Sequence, residues 1–165
     1  MNFTLRPAEP RDYPFILALN AANVDVLAPM DEEKIKLFAE WAELFQIAEV
    51  DGEPAAFLIV LREGVADYWS ENYKWFSARY PRFLYVDRIV IDEPYRKFGL
   101  GRRLYRAVID HARATDIPVV TAEIDTEPVY NDASLRFHAA MGFREAGTQF
   151  VRNGTIKVSL QALEI

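Results

Sequence analysis

The chain has 165 residues, a net charge of −6 at neutral pH, two histidines and no cysteine. That length suits one domain over residues 1–165 with a sizeable core. The absence of cysteine excludes a disulfide framework and a covalent cysteine thioester, and His111 and His138 are too few for a histidine-rich metal site, so no metal is expected. The acidic balance argues against a general nucleic-acid surface and favours, at most, attraction of a cationic substrate such as an amine. No apolar run approaches the ~18–20 residues of a membrane span, so no membrane partner is expected. The opening "MNFTLRPAEP" lacks the basic flank and apolar core of a signal peptide, which makes the expected location cytoplasmic.

"FTLRPA" (residues 3–8) reads as a short strand. Asp12 is the expected cap of a helix over "YPFILALNAAN", with Pro14 tolerated in its first turn. Asp31 is the expected cap of a second helix over "EEKIKLFAEWAEL", with acidic residues in its first turn and Ile35, Phe38 and Ala42 at helical spacing. "FQIAEV" and "AAFLIVL" flank Asp51-Gly52, a hairpin signal. Residues 62–82 then hold Tyr68, Trp69, Tyr73, Trp75, Phe76 and Tyr80, with Ser70 placed to cap a short helix. "FLYVDRIVI" is a strand by its β-branched and aromatic content. Leu100, Leu104, Ala107, Val108 and Ala112 form the apolar face of a following helix. "VVTAEID" is a strand, and "NDASLRFHAAM" is a helix capped by Asn131 or Asp132 and closed by Gly142. "FREAGTQFVR" and "TIKVSLQALE" flank Asn153-Gly154, a second hairpin signal. Hairpins interleaved with crossovers predict an α/β fold: a mixed sheet of about seven strands with about four helices on both faces.

The chemistry concentrates in "YRKFGLGRRL" (residues 95–104), between a strand and a helix. A strand, a glycine turn and a helix start expose unpaired backbone N–H groups at the positive end of the helix dipole. Gly99 and Gly101 remove the Cβ atoms that would keep a ligand from that backbone. Arg96, Lys97, Arg102 and Arg103 add positive charge. Together they describe a phosphate or pyrophosphate site; alternatively the turn is only tight and its basic residues solvated. The P-loop spacing is absent, as is the third glycine of the dinucleotide fingerprint.

"RKFGLG" (96–101) resembles the Arg/Gln-x-x-Gly-x-Gly/Ala motif of the Gcn5-related N-acetyltransferases, the GNAT superfamily. "NDASLRFHAAMGF" resembles that family's Asn-x-x-Ala/Ser-x-x-Leu/Phe-Tyr-x-x-x-Gly-Phe helix, with Asn131, Ser134, Phe137, Gly142 and Phe143 in place. The element order matches across nearly the whole chain. The resemblance implies a GNAT-like fold, acetyl-CoA as co-substrate and N-acetyl transfer by direct attack in a ternary complex. It implies that amides around Arg96, Lys97, Phe98, Gly99, Leu100, Gly101 and Arg102 hold the pyrophosphate. Backbone groups of Ile89, Val90 and Ile91 would pair with the pantetheine arm, and Asn131 is the further cofactor-side residue.

The chain departs from the family at His138, where the usual residue is the tyrosine that protonates the leaving thiolate. An imidazolium is a competent donor near neutrality; alternatively His138 packs at the sheet edge. The link from "EID" to Asn131 is also longer than usual. For the base, Glu123 in "AEI" looks equivalent to the glutamate of "Leu-Glu-Val" in ribosomal-protein N-terminal acetyltransferases. Asp87 in "VDRI" is the second candidate, and for either carboxylate the structural alternative is an ion pair, with Arg88 one partner. Trp69, Tyr73, Trp75 and Phe76 would wall an acceptor cleft, which favours a small-molecule amine over a protein or peptide, or else they pad the core or a homodimer interface. A catalytically weak acyl-CoA-binding regulatory module is the alternative from outside enzymology.

Overall fold

The computed structural model describes residues 1–25 and 27–165. In chain order the elements are β1 (Phe3–Pro7), α1 (Tyr13–Ala21), α2 (Glu32–Trp41), β2 (Ala42–Val50), β3 (Glu53–Arg62), α3 (Glu71–Arg79), β4 (Leu84–Ile91), α4 (Leu100–Ala114), β5 (Val119–Glu127), α5 (Asp132–Ala140), β6 (Arg144–Val151) and β7 (Ile156–Glu164). Short 3-10 turns precede α1 (Pro10–Asp12) and α4 (Glu93–Tyr95). Hydrogen-bonded neighbours in the mixed sheet run β1-β2-β3-β4-β5-β7-β6. The fold is α/β as expected, with five α-helices among the described residues where about four were expected. The chain divides into two compact units: Met1–Leu61 with Val86–Arg106, and Arg62–Tyr85 with Ala107–Ile165.

In the first unit, β1 and β2 are antiparallel from Phe3↔Val50 to Pro7↔Gln46, and β2 pairs with β3 across the Asp51-Gly52 turn. Asp31 caps α2, its Oδ1 accepting from Lys34 N at 2.8 Å. Two expectations change here. The second helix ends at Trp41 rather than Leu44, because Ala42 turns to extended backbone (φ −70°, ψ 138°) and pairs with Leu61. Ladder pairing overrides the helical spacing of Ala42. Asp12 does not cap α1. It is itself helical, and its carboxylate takes two bonds from Arg6, at 2.7 and 2.8 Å, and one from Glu9 N at 2.8 Å. A charged bidentate partner outcompetes a neutral cap.

In the second unit, β5, β7 and β6 form antiparallel ladders, with Glu123 opposite Leu160 and Gly147 opposite Leu160 on the other side. β4 joins β5 in parallel through Leu84↔Val120 and Tyr85↔Thr121. Ser70 caps α3, as expected, through Tyr73 N at 3.2 Å. The Asn153-Gly154 hairpin is a four-residue loop, with Val151 paired to Ile156 and Arg152, Asn153 and Gly154 all at positive φ.

The aromatic insert is mostly core. Tyr73 and Phe76 are buried, and their rings pack on Phe83 and Tyr85. The Tyr73 hydroxyl donates to the Arg62 carbonyl and accepts from Val65 N. Trp75 lies against the Gly147 backbone, with the Arg79 guanidinium stacked 4.2 Å from its ring centre. The expected ring-lined wall therefore fails for Tyr73 and Phe76, whose apolar area fills the space between α3 and the sheet. Trp69 is 48% exposed. Among the described residues, no helix is long and apolar enough to cross a membrane.

Candidate active site

The glycine turn lies in the first unit, and its seat is apolar. Leu100, the first residue of α4, packs with Val50 and Ala55, and Phe3, Ile91 and Tyr95 close around them. The end of β4 is tied down by Asp92 N, which donates to Ala55 O at 2.8 Å. Arg96 folds back, its Nε on Ile91 O at 3.0 Å and its Nη2 on Asn23 Oδ1 at 3.1 Å. Lys97 and Gly99 are both left-handed, at φ 71° and 76°. For a lysine that conformation costs about 1–2 kcal/mol, and such strain concentrates at ligand-holding turns. A Cβ on Gly99 would meet nothing within 4 Å, so its space opens outward. Arg103 N makes the first intrahelical bond, to Gly99 O at 3.2 Å; the N–H groups just before it are the ones a helix start leaves for a ligand. Phe98, Lys97 and Arg102 are exposed around this turn. The left-handed bends at Lys97 and Gly99, followed by a helix start, match the backbone pattern of an anion-holding nest.

On β4, Ile89 and Ile91 are partly exposed and Val90 is buried. Asp87 and Arg88 form an ion pair at 2.9 Å with both side chains 4% exposed. The Arg88 Nη1 also donates to Asn20 Oδ1 and to Ala28 O, each at 2.7 Å, and its guanidinium lies 5.2 Å from the Phe38 ring centre. Asn20 Nδ2 donates to the same Ala28 carbonyl at 3.1 Å. This buried network joins β4 to α1 and to the segment before α2, and it holds Asp87 in an ion pair.

The other candidates lie in the second unit. Glu123 points to the face of β5 that carries Thr121 and Asp125, and its Oε1 accepts a hydrogen bond from the Tyr85 hydroxyl at 2.7 Å. Tyr85 is 1% exposed. Burial raises the Asp125 carboxyl above its ordinary pKa, with Arg152 opposing the rise. Asn131 caps α5, accepting from Ser134 N at 3.2 Å, so its side-chain oxygen serves the helix start. His138 is buried, with Nδ1 2.7 Å from the Ser134 carbonyl and its ring edge-on to Phe143. A carbonyl only accepts, so Nδ1 carries the proton. Burial pushes the imidazole below its usual pKa, and the bond to Ser134 opposes this only in part.

Sequence reading missed Tyr85, which it placed on the strand without a role. The signal was present only in part: Tyr85 and Asp87 alternate onto one face of β4, but only strand pairing brings the hydroxyl to Glu123. Among the described residues, no group of three or more histidine, cysteine or acidic side chains is placed to hold a metal.

Comparison with known proteins places the chain in a family. A sequence profile described as the acetyltransferase (GNAT) family matches residues 11–143. Over 71 residues the chain is 40% identical to the N-alpha-acetyltransferase RimI of Mycobacterium tuberculosis (strain ATCC 25618 / H37Rv). That stretch is 42% of this chain and 41% of that protein, so the match spans under half the length of the curated relative. A protein assigned as a phosphinothricin N-acetyltransferase superposes with a TM-score of 0.70 at 24% identity, covering 99% of each chain. Arabidopsis thaliana Naa50, in complex with the bisubstrate analogue CoA-Ac-MVNAL, superposes with a TM-score of 0.74 at 13% identity over 100% of each chain. With the profile running through both the glycine turn and the α5 motif, the chain belongs to the acetyltransferase (GNAT) family, whose members are acyltransferases.

Proposed function

We propose that the chain moves the acetyl group of acetyl-CoA to the α-amine at a polypeptide N-terminus, by direct attack in a ternary complex, with residues 1–165 acting as one acetyltransferase domain. The observation that carries this reading is the turn at residues 96–102, where two left-handed residues and a helix start present backbone amides beside basic side chains. Those amides suit a diphosphate. Arg96, Lys97 and Arg102 supply charge, Phe98 and Leu100 frame the turn, and Gly99 and Gly101 admit the ligand to the backbone. Ile89, Val90 and Ile91 offer strand backbone to the pantetheine arm, and the Asn131 amide nitrogen remains for the cofactor. The CoA-containing bisubstrate analogue in the Naa50 neighbour supports this use of the fold.

Acetyl-CoA supplies the activated acyl group. An ammonium of pKa ~8 at a chain terminus must lose a proton before it attacks. In this reading Glu123 accepts that proton, directly or through one water. Asp87 holds Arg88 instead, and the departing thiolate is protonated from water, because burial disfavours the charged form of His138 and its Nδ1 proton is committed to Ser134. Two observations support a peptide amine: the identity with an N-alpha-acetyltransferase and the loss of Tyr73 and Phe76 from any acceptor wall. A small-molecule amine is the second reading, supported by the exposed Trp69 ring and the phosphinothricin-type neighbour.

The test is release of CoA thiol, with mass detection of acetylated product, using a peptide with a free N-terminal alanine and phosphinothricin as probes. Acetylation of the peptide is expected. Acetylation of phosphinothricin alone would favour the second reading, and CoA binding without turnover on a broad amine panel would favour a regulatory module. Calorimetry with CoA should show saturable binding, weakened about tenfold or more by Gly99→Ala, since the strain of a left-handed alanine is ~1–2 kcal/mol. No binding by the parent protein would end the proposal.

A further inference from the structure

Tyr85 is the buried group that reaches the Glu123 carboxylate from a neighbouring strand. The Leu84↔Val120 and Tyr85↔Thr121 pairs set β4 beside β5, and the Tyr85 hydroxyl lies 2.7 Å from Glu123 Oε1. The ring has little room to turn away. Tyr73 packs edge-on to it at 5.6 Å and Phe76 lies tilted against it at 5.8 Å, both from α3, and α3 is anchored to β6 by the 2.8 Å bond from Gln149 to Asn72. Thr121, next to Glu123 on its face, spends its hydroxyl on Leu84 O at 2.9 Å, which locks the same strand pair.

The charged and titratable surroundings of Glu123 come from several elements. β5 itself places Asp125 two residues on, with Arg152 from the β6–β7 loop acting on Asp125. β4 presents Tyr85, α3 presents Tyr73 behind it, and β7 presents the apolar Leu160 opposite. A phenol in this setting has one useful direction: it donates to the ionised carboxylate and favours the charged form over the protonated one.

We propose that Tyr85 is a positioning residue that orients the Glu123 carboxylate and keeps it ionised, ready to take a proton from the acceptor amine. The proposal rests on the assignment of Glu123 as the base. A donor held on Oε1 limits rotation of the carboxylate, which fixes where its lone pairs point. The phenolic proton stays on Tyr85 throughout, and only Glu123 gains the amine proton.

The two assignments are separable by experiment. In protein labelled with 13C at the glutamate side-chain carbonyl, the Glu123 resonance is assigned by its loss in Glu123→Gln, and its titration is followed without substrate. In Tyr85→Phe, which keeps the ring and its packing, the midpoint should rise by about one pH unit. The acid limb of kcat/KM for acetyl-CoA and the alanine peptide should move by the same amount, with the KM for acetyl-CoA unchanged. An unmoved midpoint in Tyr85→Phe overturns the proposal while leaving the base assignment intact. A midpoint that moves while the acid limb stays, or an acid limb that survives in Glu123→Gln, removes Glu123 as the base and Tyr85's role with it.

Discussion

Gly147→Ala tests how α3 is seated on the sheet. Gly147 lies on β6, at a register shift between Glu145 and Gly147. A Cβ built there would stand 2.5 Å from Trp75 Cζ2 and 3.0 Å from Cη2. Carbon atoms pack at ~3.5–4.0 Å, so one side must give by about an ångström. The indole has little freedom: the Arg79 guanidinium lies 4.2 Å from its ring centre, and Phe76, one residue on, is fully buried. Overpacking of this kind costs about 1–3 kcal/mol. At this chain length each kcal/mol lowers Tm by about 2–4 °C. Urea denaturation of the parent, Gly147→Ala, Trp75→Leu and the double variant forms the test. The alanine should be costly beside Trp75 and nearly neutral in the Trp75→Leu background, where the indole is gone, a coupling of about 1 kcal/mol or more. A penalty within about 0.5 kcal/mol in the parent, the range of an ordinary surface change, would refute the reasoning. So would an equal penalty in both backgrounds.

Arg88→Met should destabilise by about 3–5 kcal/mol, because it leaves the buried Asp87 carboxylate and Asn20 without their shared cation; a thermal melt close to that of the parent would contradict it. Arg6 holds the Asp12 carboxyl below its ordinary value of 3.8. The pair therefore stabilises the fold above that pH and loses this contribution as pH falls through the lowered folded-state value. Asp12→Asn should cost about 2 kcal/mol at pH 7, with the gap to the parent closing in acid; a gap independent of pH would argue against the pair. For His138, whose folded-state pKa lies below 6.5, the unfolded chain binds the proton more readily. Stability should fall as pH drops below about 6.5, and His138→Asn should flatten that slope between about pH 7.5 and 5.5 in denaturant titrations; unchanged slopes would mean that the imidazole does not titrate differently on unfolding.

Local signals set most elements and the glycine turn of this protein. Asp31, Ser70 and Asn131 cap their helices as short polar side chains do, whatever the tertiary surroundings. Asp51-Gly52 closes a hairpin, and the glycine turn precedes a helix whose apolar face repeats at fixed spacing, because turn and helix geometry are properties of neighbouring residues. Long-range pairing decided the rest. Trp41 ends its helix because Ala42 finds Leu61, and Asp12 abandons its cap because Arg6 reaches it. The aromatic insert is mostly core, and Gly147 lies against Trp75. Above all, "LYV" and "AEI" carry no sign of one another along the chain. Only the parallel register of β4 on β5 brings the Tyr85 hydroxyl to the Glu123 carboxylate, since a hydrogen bond depends on distance in space and not on distance in sequence.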